Sequence, residues 1–260
     1  VTHSGLDVNT VGRAHHDTLP TISLIIPAYN EATRLPALLD SVDAARFRYR
    51  GGTERIDVVV ADNASTDDTA AIAVARGCRV AHVEKRLIAA ARNGGAAIAA
   101  GEIFAFIDGD SRIHPETFNV IANTLADGTV IVGATSVNPE RWSLGIWMTW
   151  VVATIITWIL RLDAGVVYCR REDFTAVGGY DETLEYAEDV KFLDDLKKRG
   201  HTRGQHFKRT REAIGITSTR KFDTHGDWHY FTKMPRVAFW MLIDKSRVRD
   251  FTQRYWYKDR

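Results

Sequence analysis

The sequence predicts an α/β domain with a mostly parallel central sheet and helices on both faces, and three observations predict it. Short β-branched apolar runs alternate with helical patterns through the first half of the chain, the rhythm of successive strand and helix units. Polar loops follow several of these runs at their carboxyl ends, where open sheets of this kind bind ligands. The 260 residues, 45% of them hydrophobic, suffice for a large domain with a sizeable core.

In chain order, residues 1–20 are polar and lack the apolar centre of a secretory signal, so they are expected to form a flexible leader. "TISLIIPA" (21–28) opens the sheet, and Leu35, Leu38, Leu39 and Val42 recur at helical spacing across 35–45. "RIDVVVAD" (55–62) leads into a helix over 66–76, and "CRVAHV" (78–83) into an alanine-rich helix over 89–100. "EIFAFID" (102–108) is the fourth strand and "GTVIVGATS" (128–136) the fifth. The loops "PAYNE", "ADNASTD" and "DGDS" therefore converge on one edge of the sheet.

After residue 140 the pattern changes. Residues 142–160 contain no charge over 19 positions, near the roughly 20 that span a bilayer as a helix. Spanning is a poor reading, because the next segment is expected to supply residues of the same site and one domain cannot lie on both sides of a membrane. The readings left are a buried or half-buried helix, a homodimer interface, or an interfacial helix that meets lipid or shapes a lipid-acceptor groove. Trp142, Trp147, Trp150 and Trp158 suit an interface. Residues 227–250 mix aromatics with cations and suit either a surface helix or a peripheral membrane contact, within a basic, aromatic helical extension over 227–260.

Net charge is +1, yet from Leu196 onward 17 Lys/Arg face 6 Asp/Glu. The basic end suits phosphate groups or an acidic membrane surface. Nucleic acid is set aside, since no recognition module stands out. Two cysteines, Cys78 and Cys169, exclude a disulfide framework and a thiolate metal site. They point to a reducing, cytoplasmic setting, with peripheral attachment to the cytoplasmic membrane face as its variant.

Asp108 and Asp110 close the fourth strand with Gly109 between them, allowing a tight turn and close ligand approach. Paired carboxylates there suit a hard cation, Mn²⁺ or Mg²⁺, that completes its shell with water and substrate phosphates.

Four motifs extend this reading. "PAYNEATRLPALLDSV", "VVVADNASTDDT", "AAARNGGAAIAAGEIFAFIDGDS" and "VGGYDETLEYAEDVKFLDDLKKRG" occur in the order and approximate spacing that resembles the family 2 glycosyltransferases, over residues 21 to about 225. The resemblance implies the GT-A fold, Rossmann-like, with a nucleotide-sugar half near 21–135 and an acceptor half near 136–226. It places Pro27, Ala28, Tyr29 and Glu31 along the nucleoside, Glu31 accepting from ribose hydroxyls. Asp62 matches the family's first base-side acid, but Asn63 replaces the second. An amide accepts from a base N–H and adds a donor, so uridine is expected, with guanosine or thymidine as rivals.

Arg92 is implied to reach the nucleotide or to pair with Asp108. Asp108, Gly109 and Asp110 would hold the diphosphate end, Asp110 as direct metal ligand and Asp108 mainly on ribose or through water. Asp189 would be the general base, at a helix start beside Glu188. Arg220 and Lys221 would neutralise the leaving diphosphate, and His225 would join the metal.

The implied activity transfers a sugar from a nucleoside-diphosphate sugar to a saccharide, lipid-linked or small-metabolite acceptor, with inversion. A retaining GT-A transferase and a sugar-nucleotide-binding protein without turnover are the alternatives. A haloacid-dehalogenase-type phosphatase is set aside, because its acid pair follows the first strand and precedes Thr or Val, whereas this pair follows the fourth and precedes Ser111.

Overall fold

The computed structural model describes residues 19–160, 165–185 and 187–233. The first half alternates β1 (Ile22–Ala28), α1 (Leu35–Arg48), β2 (Ile56–Asp62), α2 (Thr69–Ala75), β3 (Arg79–His82), α3 (Ile88–Ile98) and β4 (Ile103–Phe106). The second half runs α4 (Thr117–Ala126), β5 (Val130–Pro139), α5 (Leu144–Leu160), β6 (Val167–Arg170), α6 (Arg171–Ala176), α7 (Glu188–His201), β7 (His206–Thr217) and α8 (Arg220–His225).

Seven strands form one sheet in the order β3-β2-β1-β4-β6-β5-β7. β1 lies between β2 and β4, parallel to both, so the chain leaves it to opposite sides. The carboxyl end of β1 is thus the crevice where such sheets take a ligand. All seven residues of β1 are buried, as a parallel strand covered on both faces requires. Alternate side chains serve two cores. Ile22, Leu24 and Ile26 join Leu35 and Leu38 of α1 and Phe118 and Ile121 of α4. Ile25 faces Val59, Ala61 and the alanines of α3, continuing into Phe104, Phe106, Phe174 and Phe192.

α3 lies very close to the sheet. A Cβ on Gly95 would come 2.6 Å from Cγ2 of Ile25. Such small residues let the helix settle on β1 and carry Arg92 to the edge where the loops gather.

The second half departs from a simple continuation. β6 enters between β4 and the predicted fifth strand, antiparallel to both. It has only four residues and, unlike β3 and β4 of the same length, lies outside the regular strand and helix alternation of the first half. β7 pairs parallel with β5 at the sheet edge, and edge exposure explains its charged sequence "HFKRTREAIGIT". α2 starts at Thr69 rather than 66, because Oδ1 of Asp67 accepts from the Thr69 amide and hydroxyl, at 3.0 and 2.5 Å.

Of the expected leader, residues 1–18 lie outside the described residues; Leu19 packs on the core and the Pro20 carbonyl accepts from the Tyr49 hydroxyl at 2.7 Å. Of the expected extension, residues 234–260 lie outside them as well. Among the described residues no helix is long and apolar enough to cross a membrane.

Candidate active site

The loops after β1 and β2 are stitched together. The Asn30 amide donates to Oγ of Ser65 at 3.0 Å, and Oδ1 of Asn30 accepts from the Thr66 amide at 2.8 Å. The Glu31 amide donates to Oγ1 of Thr69 at 2.8 Å. Asn30 and Ala64 adopt left-handed backbone, φ 52° and 60°, which Asn tolerates and Ala does not favour.

Two arginines organise the acids. Arg220, at the start of α8, sends both terminal nitrogens to the Glu31 carboxylate at 3.2 Å each, and Nη2 also reaches Asp110 at 3.0 Å. Glu31 is only 1% exposed, so this forked pairing compensates a charge that water cannot reach. Arg92 on α3 donates to Glu188 at 2.9 Å and to Asp108 at 3.2 Å, with its guanidinium 5.0 Å above the Tyr180 ring. Burial pushes the Glu188 carboxyl above the usual range, against the opposing pull of Arg92.

Beside these pairs lies a cavity of about 260 Å³. Pro27, Ala28, Tyr29, Asn63, Arg92, Asp108, Gly109, Glu188 and Asp189 line it, each of them anticipated. Ile88, Ala91, Glu185 and Ala187 line it too and were missed; Ile88, Ala91 and Ala187 are apolar and carry no chemical signal in a sequence, and Glu185 is one acid among several in its segment. Arg86 was also missed; its guanidinium stands 5.2 Å from the Tyr29 ring centroid, a cation–π contact.

Several polar residues around the cavity are engaged by the protein itself. Asn63 gives its amide hydrogens to the carbonyls of Val83 and Lys85 at 3.2 and 2.6 Å. Its donors are thus engaged by the backbone, and Oδ1 is the acceptor left for a ligand. Asp62 is buried without lining the cavity; it accepts from the Ser65 amide at 3.1 Å and lies 3.4 Å from Nδ1 of His82. Asn93 pins the Tyr180 backbone in both directions at 2.9 Å and donates to Glu182 at 3.0 Å. Lys85 reaches the same Glu182 at 2.9 Å, so this network anchors Tyr180 and Glu182, a few residues before the cavity-lining Glu185.

Ala187, with φ 60°, turns the chain into α7. Glu188 and Asp189 occupy its first turn, Glu188 buried and Asp189 exposed. Oδ1 of Asp189 accepts from the Val190 amide at 2.8 Å. Lys221 and His225 on α8 are half-buried and outside the cavity lining. Among the described residues no three His, Cys, Asp or Glu side chains form a metal-holding group, so Asp108, Asp110 and His225 do not assemble into a protein cage.

The family model described as Glycosyl transferase family 2 matches residues 23–220. The chain belongs to that family. The family match takes in every candidate site residue except Lys221 and His225. Glycosyltransferase AglE of Haloferax volcanii is 33% identical over 125 residues, 45% of this chain and 39% of that protein. This chain therefore spans well under half of the relative's length. Among solved structures, S. aureus TarS 1-349 is 20% identical with a TM-score of 0.59, covering 80% of this chain and 63% of the other. Glucosyl-3-phosphoglycerate synthase from Mycobacterium tuberculosis, solved in complex with Mn²⁺, uridine-diphosphate and glucosyl-3-phosphoglycerate, is 23% identical with a TM-score of 0.57, covering 80% of this chain and 75% of the other. These likenesses show the GT-A fold, as the motif order implied.

Proposed function

We propose that this family 2 member transfers a sugar from a nucleoside-diphosphate sugar, with UDP-sugar favoured, to an acceptor hydroxyl or phosphate with inversion. The carrying observation is that one cavity is lined by Tyr29 and Asn63 and also by Glu188 and Asp189. Tyr29, backed by Arg86, offers a face to the nucleoside, and Oδ1 of Asn63 accepts a base N–H. The solved glucosyl-3-phosphoglycerate synthase complex with uridine-diphosphate and Mn²⁺ supports a uridine donor with a divalent cation, and a mannosyltransferase from Pyrobaculum calidifontis in complex with GDP-Man and Mn²⁺ keeps guanosine as the rival base.

Asp189 takes the proton of the acceptor hydroxyl as that oxygen bonds to the anomeric carbon. The bond from that carbon to the phosphate oxygen breaks on the opposite face, and the nucleoside diphosphate leaves with the electron pair. In the first turn of α7, Asp189 is held by the Val190 amide, which donates to its Oδ1 at 2.8 Å. Arg220 and Lys221 are the cations for the leaving diphosphate. Arg92 acts through the acids it grips, positioning Glu188 and Asp108.

The acid pair fits Mn²⁺ or Mg²⁺ in a limited way. Asp108 and Asp110 supply carboxylate oxygens across a Gly109 turn, each already shared with one arginine, so water and phosphate would complete the shell. When bound, such an ion stabilises charge on the departing phosphate.

Thermal melting with UDP, GDP and dTDP, each with and without Mn²⁺, tests the donor reading. Stabilisation by UDP that Mn²⁺ deepens is expected; indifference to all three would sink it. Asp189→Asn then separates transfer from mere binding: UDP still stabilises the fold while transfer collapses. Full transfer by that variant would remove Asp189 as base.

A further inference from the structure

Helix α5 is apolar on two sides. Ile146 is fully buried, and a Cβ on Gly145 would come 2.7 Å from the Asp227 carbonyl oxygen, so one side packs on the fold. On the other, Leu144, Trp147, Met148, Val151, Val152 and Ile155 recur at three- and four-residue steps, the spacing of one helical face. All six are exposed, Trp147 by 55% and Ile155 by 53%. None of the 17 residues of α5 is charged, whereas a helix facing water normally carries its charges on that side. Trp228 and Phe231, also exposed, follow Asp227 beside the start of α5. An apolar face this continuous marks an interaction surface.

Charge selects its occupant. The chain from Leu196 onward is strongly basic. It places Lys221 and Lys233 on either side of Trp228 and Phe231 in sequence, and Nη2 of Arg209 3.4 Å from the Thr157 carbonyl of α5. A second copy docked on this face would set one basic margin against another, whereas anionic headgroups complement it. Tryptophans settle at the level of headgroups. At about 1.5 Å per residue, the described 17 residues of α5 fall short of the roughly 30 Å hydrocarbon layer, and this stretch suits lying in the interface plane.

We infer that the exposed face of α5, with Trp228 and Phe231, docks on an anionic lipid bilayer surface. Arg141 ties the start of α5 to α8 through Asp223 and Asp227, at 2.7 Å each, and α8 carries Arg220 into the acid cluster. Docking therefore brings the pocket close to a lipid-borne acceptor, a consequence that rests on the transferase reading.

Co-sedimentation of the full chain with vesicles of equal parts phosphatidylcholine and phosphatidylglycerol, and with phosphatidylcholine alone, tests the docking. The protein is expected to pellet with the anionic vesicles, less so at high salt. The variant Trp147→Ser/Val151→Ser/Ile155→Ser is expected to lose about tenfold or more of that binding while UDP and Mn²⁺ still raise its melting temperature. Val152→Glu, a single change at an exposed position, gives the same reading should the triple variant not fold. Absence of wild-type pelleting, or unchanged pelleting of the variants, overturns the inference. Dimers in sedimentation velocity that the triple variant abolishes, without vesicle binding, give the face to a second copy and overturn it too. A large drop in the melting temperature of the triple variant, again without vesicle binding, gives it to residues 234–260. Vesicle binding without any UDP response leaves the docking standing and removes the transferase reading.

Discussion

Arg220 and Arg92 each grip two acids from elements distant in sequence, and the consequences of losing each contact differ. Arg220→Leu strands the Glu31 carboxylate, which is almost wholly buried, and removing one partner of a buried pair costs roughly 3–5 kcal/mol. A fall of that size in urea unfolding is expected. Arg220→Lys should recover only part of it, because an ammonium cannot reproduce the fork. Glu188 gives a test in pH. Burial raises its folded pKa above the usual glutamate value, so the folded state binds this proton more tightly than the unfolded chain does. Its contribution is therefore fully favourable below the unfolded pKa and is lost as pH rises through the folded one. The stability of wild type minus that of Glu188→Gln should fall over that window; a difference that rose with pH would reverse the assignment. Asp189→Asn is a kinetic change instead, expected to lower kcat by about 10²–10⁴-fold, read as sugar transfer at saturating donor.

At the scale of elements, backbone strain and close packing gather where the site is built. Ala64 follows β2 and Ala187 precedes α7, both in left-handed backbone, where glycine is freer than alanine. Ala187→Gly should raise stability by about 1 kcal/mol in denaturant titrations, and any loss of transfer activity would show that the alanine constrains the acid loop. The reverse exchange at Gly95 is expected to destabilise: a Cβ 2.6 Å from Ile25 forces α3 off the sheet. Overpacking of this kind costs about 1–3 kcal/mol, and Gly95→Val should also weaken UDP binding, because α3 carries Arg92. The first four strands were legible because they alternate regularly with helical patterns, and β1 and β2 are β-branched runs closed by polar loop residues. β6 and β7 were not, because β6 lies outside that alternation and a charged edge strand resembles a surface loop.

For the whole molecule, the sheet order brings residues 27–31, 62–63, 108–110, 188–189 and 220 to one edge, and most of that was readable from ordered motifs. Their partners were not. No spacing announces that Asn63 spends its donors on the backbone, that Asp62 braces its own loop, or that Arg220 joins Glu31 to Asp110. Pairings of this kind exist only after the chain has closed on itself, with 189 residues separating Glu31 from Arg220. The closure also predicts how metal and nucleotide act together. Arg220 already shares the Asp110 carboxylate, so Mn²⁺ alone competes with a fixed positive charge and should shift the melting temperature little. A nucleoside diphosphate offers Arg220 new oxygens and the cation further ligands, and so favours joint binding. At about 100 times its dissociation constant, a ligand specific to the folded state adds about 2.7 kcal/mol. UDP with Mn²⁺ should therefore stabilise the protein by more than the sum of the two given separately. Asp110→Asn should abolish that excess while leaving most of the response to UDP alone, and calorimetric melting measures both. Additive shifts in the wild type would mean that cation and nucleotide do not share the Asp110 carboxylate.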